Sequence, residues 1–249
     1  MGTGLDSDVE IPAVTTAQMA EVDRLMIERY GISLIQMMEN AGKNLAELAR
    51  RRLGRKVRRK RIKVLCGAGN NGGGGMVAAR HLSNWGAEIQ VVLATAEYKL
   101  KDVPEQQWRI LQAMGIAKNT SVIYKDSFAE MEQPDLILDA LIGYGLSGDP
   151  RGPAADWIEW MNGSGVPVIS LDAPSGLDTT SGIPGNPCVR ADATLTLALP
   201  KTGLLSPEAE PYVGDLFLAD ISVPPTLYRQ MGLDIPPLFL DDTIQIIDK

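Results

Sequence analysis

The chain has 249 residues, 45% of them hydrophobic and 22% charged, with a net charge of −7, two cysteines (Cys66 and Cys188) and one histidine, His81. That is enough for one sizeable core, while the cysteine and histidine counts exclude a disulfide framework and argue against a zinc site. No apolar run reaches membrane-spanning length, and the start Met1 to Asp8 has neither the basic opening nor the apolar stretch of a signal peptide, so a cytoplasmic protein with no membrane partner is expected.

Residues 1–14 read as a flexible lead before one domain over 15–249. Thr15 and Gln18 have capping-box spacing, and Met19, Val22, Met26 and Tyr30 recur on one face until Gly31 ends the helix. Ser33 and Gln36 repeat the box for a second helix, whose apolar face of Leu34, Met37, Met38, Ala41, Leu45 and Leu48 is interrupted by Glu39, Asn40 and Gly42. Asn40, a short amide on a helix packed against a sheet, suits the orienting of a neighbouring loop. Ten of the fourteen residues from Arg50 to Lys63 are Lys or Arg. The rest of the chain is acidic and no aromatic is interleaved for base stacking. The run therefore reads as cations at a helix C-terminus followed by a solvated connection, with no nucleic acid as partner.

Ile62, Val64, Leu65 and Cys66 then predict a buried strand. Gly67, Gly69, Asn70, Asn71 and Gly72 to Gly75 predict a tight loop whose glycines take positive φ and let the backbone approach a ligand, and Met76 to Trp85 predict a helix ended by Gly86. A helix N-terminus after such a loop favours a nucleotide-like anion. Strands are expected at Glu88–Ala94, Ser121–Tyr124 and Asp135–Ile142, with a helix from about Val103 to Met114. The third strand is almost continuously apolar apart from Asp139, the pattern of a strand buried on both faces of a parallel sheet. A glycine-rich segment from Gly143 to Gly148 follows, then a helix with Trp157, Ile158 and Trp160, and a strand from Val166 that ends at Asp172 before Ser175. Ala191–Leu199 and Gly214–Val223 predict strands joined by loops with no helix between them, Lys201 lying just after the first, and the tail from Pro224 reads as loosely packed. The order predicts an α/β fold: a three-layer α/β/α sandwich around a doubly wound, Rossmann-like, mostly parallel sheet.

Three strand ends then converge on one edge: Asn70 and Asn71, Asp139 with its glycine loop, and Asp172 with Ser175. Amide, carboxylate and hydroxyl oxygens grouped in this way make a hard-cation site, and a single net negative charge suits a monovalent ion better than magnesium. Taken singly, each has a plainer use as a cap or turn residue. Gly67-x-Gly69-x-x-Gly72 matches the dinucleotide fingerprint. The acid expected at the end of the second strand is replaced by Leu93-Ala94-Thr95, however, so a nicotinamide dehydrogenase is the poorer fit. No Gly-Lys-Ser/Thr follows the glycines, which excludes a Walker loop. His81 reads as a packing or capping residue.

The set Met38-Glu-Asn-Ala-Gly42, Gly67-Ala-Gly-Asn-Asn-Gly-Gly73, Val77-Ala-Ala-Arg-His-Leu82, Asp139-Ala-Leu-Ile-Gly-Tyr-Gly-Leu-Ser-Gly148, Arg151-Gly-Pro153, Asp172-Ala-Pro-Ser-Gly-Leu-Asp178 and Pro200-Lys201 resembles the NAD(P)H-hydrate epimerase family, the YjeF N-terminal domain, from about Thr15 to Pro225. The resemblance implies an isomerase that interconverts the R and S forms of hydrated NADH and NADPH, working beside a separate NAD(P)H-hydrate dehydratase. It implies a potassium ion held by Asn71, Asp139 and Ser175, and a homodimer. It also implies that Asn70, Asn71, Gly72, Gly73, Gly143, Tyr144, Gly145, Leu146, Ser147, Gly148, Asp149 and Asp172 contact the hydrated dinucleotide. Epimerisation at a carbon bearing a hydroxyl and a ring nitrogen needs proton transfer and no redox step, and Asp172 or Asp139 is the expected acid/base. One position departs from the family pattern Asn-Asn-Gly-Gly-Asp-Gly: Gly74 stands where that pattern has Asp. The alternative reading is therefore a catalytically reduced nucleotide-binding or scaffold module, against which the retained Asn71, Asp139 and Ser175 weigh.

Overall fold

The computed structural model describes residues 11–100, 102–117 and 133–247; residues 1–10 of the expected lead and the expected strand Ser121–Tyr124 lie outside the described residues. The first two helices begin as their capping boxes dictate. Thr15 caps α1 (Thr16–Glu28) and Ser33 caps α2 (Leu34–Arg52), and in each box the N3 glutamine, Gln18 or Gln36, accepts from the cap backbone N–H at 2.9 and 2.8 Å. Val14, just before α1, is fully buried and bridged to Lys201, so the chain is fixed before Thr15.

The remaining elements are β1 (Arg61–Cys66), α3 (Asn70–Asn84), β2 (Glu88–Leu93), α4 (Asp102–Ala113), β3 (Leu136–Ala140), α5 (Pro153–Ser164), β4 (Val168–Leu171), β5 (Ala193–Leu197), the single turn α6 (Glu210–Val213), β6 (Asp215–Ala219), α7 (Pro225–Gln230) and β7 (Ile244–Ile246). They form one seven-stranded sheet in the order β2-β1-β3-β4-β5-β6-β7, parallel from β2 to β6 with β7 antiparallel at the edge. The doubly wound, mostly parallel sheet predicted from the element order is the one observed. Along β1 the side chains alternate as a strand requires. Val64 and Cys66 join the core under α2, α3 and α4, whereas Leu65 joins Trp157 and Ile158 of α5 on the other face.

Four expectations are corrected. The tail is not loose: Leu227 and Tyr228 of α7 pack with Met19, Val22 and Met26 of α1, and Ile244 pairs with Ala219 to add β7. The β5–β6 connection is not free of helix, because short helical turns over Thr202–Leu205 and Pro207–Ala209 lead into α6, the second of them capped by the Ser206 hydroxyl. The basic run is only partly solvated. Arg51, Arg52 and Lys60 pair with Asp242, Asp215 and Asp135, and Lys63 is 1% exposed with its Nζ 4.4 Å from the centre of the Trp160 ring, where burial lowers its pKa to about 8. Finally, α3 begins at Asn70, so Gly72 to Gly75 form its first turns, and none of Gly67, Gly69 or Gly72 to Gly75 has positive φ. What these glycines provide is close approach: a Cβ on Gly75 would lie 2.5 Å from Ala140 Cβ, and one on Gly73 would lie 2.6 Å from Met38 Sδ.

Candidate active site

The chain runs from β1 outward to β2 and then returns to β3 on the other side of β1, so the connections leaving β1 and β3 part at the carboxyl ends of these two strands. Open α/β sheets bind ligands at such a switch point. A cavity of about 410 Å³ lies here. Its floor is the start of α3 with Asn70, Asn71 and Gly74, the segment Leu141 to Gly145, Leu171 at the end of β4 and Asp172 after it; α1 and α2 close it with Met19, Asp23, Met37 and Met38. The wall is largely apolar, so its few polar groups define what it can do.

Asp172 directly follows β4 with φ +68, where Asp is among the side chains that tolerate a left-handed backbone. Its N–H donates to the Leu195 carbonyl at 2.7 Å, and the next N–H, that of Ala173, turns back to the Leu171 carbonyl at 2.9 Å. In β5 the same device recurs: Ala198 has φ +64 and the Leu199 N–H donates to the Leu197 carbonyl at 2.8 Å. These two tight turns bring Lys201 against Asp172. The Lys201 Nζ donates to Asp172 Oδ1 at 2.5 Å, to Thr196 Oγ1 at 3.1 Å and to the Leu197 carbonyl at 3.0 Å, so a fully buried ammonium has all three of its donors used. The other carboxylate oxygen, Oδ2, accepts from the Tyr144 backbone N–H at 2.8 Å.

Asp139 behaves differently. Within β3 it is 0% exposed and does not line the cavity. Its Oδ1 accepts from the Ser175 hydroxyl at 2.6 Å and the Leu141 N–H at 3.2 Å, and its Oδ2 from the Ser170 hydroxyl at 2.8 Å and the Ser175 N–H at 2.9 Å. Burial pushes its carboxyl up, opposed by these bonds. Of the two expected acid/base carboxylates only Asp172 faces the cavity; Asp139 is enclosed because the β3–β4 register sets it beside Ser170. Its work is to tie the Ser175 loop to β3. Asp139→Asn is expected to destabilise the fold by about 2–4 kcal/mol, since an amide nitrogen would then face donors inside the core, and urea denaturation would measure the loss.

The other expected site residues divide. Asn70, Asn71, Gly143, Tyr144 and Gly145 lie on the wall with Asp172. Gly72 and Gly73 do not: the early start of α3 turns them inward against Gly67 and Met38. Leu146, Ser147, Gly148 and Asp149 also lie off the wall, and the Asp149 Oδ1 accepts from the Asn186 N–H at 3.0 Å instead. The three segments with Asn71, Asp139 and Ser175 do meet. The Ile142 N–H donates to Ser175 Oγ at 2.8 Å, and a Cβ on the next residue, Gly143, would lie 3.2 Å from Asn71 Cγ. Asn71 Nδ2 is buried with no hydrogen-bond partner among the described residues. His81 lies in the last turn of α3, its ring 6.0 Å from that of Trp85, away from the cavity wall.

Two groups on the wall carry no role in the sequence reading. The sequence predicts Lys201 only as a residue of the loop after β5. Asp23 is not among the expected site residues, although a carboxylate four residues after Met19 and three before Met26 interrupts an apolar helix face, which is the signal that exposes it. The Tyr144 hydroxyl donates to Asp23 Oδ2 at 2.5 Å, and burial, followed by the nearby charge of Asp172, pushes the Asp23 carboxyl up. Among the described residues no arginine lines the cavity, and the lysine on its wall is engaged by Asp172. For an anionic group the wall offers instead the start of α3, where Gly69 caps the helix with no side-chain hydrogen bond.

Residues 34–203 match the family described as YjeF-related protein N-terminus. The chain belongs to this family. As a YjeF-related chain it is similar to the NAD(P)H-hydrate epimerase of Dehalogenimonas lykanthroporepellens, 43% identical over 223 residues covering 90% of this chain and 87% of that protein. The NAD(P)H-hydrate epimerase of Rhodopirellula baltica is 33% identical over 225 residues, 90% of each. The bifunctional NAD(P)H-hydrate repair enzyme Nnr of Salinibacter ruber is 36% identical over 226 residues, 86% of this chain and 41% of the longer protein. A crystal structure of the yeast protein ynu0 has the same fold, with a TM-score of 0.79 at 24% identity over 95% of this chain and 100% of that one. Among the described residues of this YjeF-related chain no helix is long and apolar enough to cross a membrane.

Proposed function

We propose that the chain is an NAD(P)H-hydrate epimerase, an isomerase interconverting the R and S forms of hydrated NADH and NADPH. The observation that carries the reading is a largely apolar cavity at the sheet's switch point, into which Asp172 turns a carboxylate held at both oxygens. The relatives named as epimerases support it over nearly the whole chain. The pyrophosphate meets the first N–H groups of α3 and the modified ring lies against Met37, Met38 and Leu171. Asp172 moves the proton that accompanies loss and return of water at the carbon bearing the hydroxyl and the ring nitrogen. The bonds from Lys201 and Tyr144 keep its carboxylate oriented for this.

The reading includes a potassium ion held by Asn71, Asp139 and Ser175. The donor chemistry fits: a carboxylate, a hydroxyl and an amide whose buried nitrogen lacks a partner, and exchanging the oxygen and nitrogen of that amide would turn an acceptor to the same place. Such an ion supplies positive charge beside Asp139 and locks the Ser175 loop when bound. A homodimer, a separate dehydratase acting on the same damaged cofactor and a cytoplasmic setting complete the reading. The extra length of the bifunctional repair enzymes supports the second, and the buried free thiols Cys66 and Cys188 the third.

The test is to add purified protein to R-form hydrated NADH and follow the S form by chromatography, in potassium chloride and in choline chloride. Conversion faster than without protein, and faster in potassium, is expected. No acceleration in either salt would remove the epimerase reading, and equal rates in both would remove the ion.

A further inference from the structure

Two carboxylates lie on the cavity wall, and the reading above gives work to Asp172 and none to Asp23. It lies half-buried on α1 with its carboxylate on the cavity wall, and among the described residues no cation pairs with it. Tyr144 connects it to Asp172: the tyrosine hydroxyl donates to Asp23 Oδ2 at 2.5 Å, and the backbone N–H of the same residue donates to Asp172 Oδ2 at 2.8 Å. One cavity thus holds two carboxylates, on a helix and on a strand end, set apart by roughly the length of a tyrosine side chain. Only Asp172 has the Lys201 ammonium.

Epimerisation at a carbon bearing a hydroxyl and a ring nitrogen is the inversion of a hemiaminal. The hydroxyl, once protonated, leaves as water while the nitrogen lone pair closes a C=N⁺ bond. Water then adds to the opposite face and gives up a proton as the nitrogen recovers its pair. Inverting glycosidases meet the same stereochemical demand with two carboxyl groups about 6.5–9.5 Å apart, an acid at the departing oxygen and a base at the water on the other face. A single carboxylate beside a fixed ring reaches one face only.

Resting on the epimerase reading, we propose that Asp23 is the second acid–base group of this cavity, serving the ring face opposite to that served by Asp172. In one direction Asp23 protonates the departing hydroxyl and Asp172 takes a proton from the incoming water; in the other the roles exchange. Nothing is oxidised or reduced. The one proton carried from Asp23 to Asp172 returns through solvent.

The surroundings of Asp23 agree. Burial and the charge of Asp172 keep it protonated to higher pH than an exposed aspartate, against the opposing bond from Tyr144 and the charge of Lys201. Among the described residues Tyr228 of α7 is the remaining titratable group that feels Asp23, and burial, Asp220 and Asp23 all push that phenol further up, so it stays neutral.

The experiment measures kcat, KM and the pH profile for R-form hydrated NADH with the full chain, Asp23→Asn and Tyr144→Phe, each checked by thermal melting. Asp23→Asn is expected to lower kcat by about 10²-fold or more with little change in KM, and to remove the high-pH limb of the profile. Tyr144→Phe deletes the hydroxyl bond that favours the charged form, so its high-pH limb should move upward. An Asp23→Asn protein with wild-type kcat and an unmoved limb overturns the proposal; should that variant not fold, an unmoved limb in Tyr144→Phe overturns it. A wild-type chain that fails to epimerise sinks the underlying reading and this proposal with it, whereas an active wild type with an unaffected Asp23→Asn sinks the proposal alone.

Discussion

Replacing Asp172 by Asn is expected to lower epimerisation by about 10²- to 10⁴-fold while the backbone at that position stays where it is. Residue 172 sits at φ +68, a conformation that Asn shares with Asp, whereas Ala would add about 1–2 kcal/mol of strain and confuse the result. The substitution still has a structural cost. It leaves the Lys201 ammonium, 0% exposed, without its carboxylate, and breaking a buried pair from one side destabilises by about 3–5 kcal/mol. Lost activity in Asp172→Asn alone could therefore follow from a disturbed fold. Adding Lys201→Met removes the stranded charge and keeps the buried stem, and an apolar replacement of a whole buried pair is often close to neutral. The double variant should recover most of the stability in urea denaturation and none of the epimerisation. Recovery of both would make Asp172 a structural partner of Lys201 and nothing more.

The part of this site that could be read from the sequence is the part that local rules determine. Both capping boxes, the buried strand β1 and the strand-ending position of Asp172 follow from spacing over a few residues. What escaped depends on contacts between distant segments. The glycines from Gly72 to Gly75 read as a loop because glycine is a poor helix former, yet they are helical, since only a chain without Cβ atoms lets α3 lie on Ala140 and Met38. Asp139 was recognisable as a carboxylate in an apolar strand, but which way it points rests on its pairing with Ser170 across β3 and β4. Asp23 becomes a cavity group only when Tyr144, far away in the chain, reaches it. Strand β7 spans three residues, too few for an alternating pattern to announce it.

Gly67→Ala is expected to destabilise the fold at or beyond the upper end of the roughly 1–3 kcal/mol typical of overpacking, and to abolish epimerisation. A Cβ at Gly67 would lie 2.0 Å from the Leu141 carbonyl oxygen, a backbone atom with no rotamer through which to escape. The residue cannot retreat either, because its N–H donates to the Ala140 carbonyl at 3.0 Å and its own carbonyl oxygen would be 2.1 Å from a Cβ on Gly72. The ends of β1 and β3 must then separate, and with them the Asn71 and Gly143 walls of the cavity. Gly74→Asp, which restores the side chain of the family pattern, is the informative contrast. Its Cβ would meet only the Leu171 Cδ2, 2.7 Å away, and a leucine methyl can rotate aside at a cost of about 0.5–1.5 kcal/mol. That variant should stay folded and keep epimerising, with its new carboxylate on the cavity wall. Urea denaturation of the two variants beside the assay separates them. A Gly67→Ala chain as stable and as active as the wild type would mean that the strand ends can part freely, and the close junction of β1 with β3 would then not be what holds the cavity in shape.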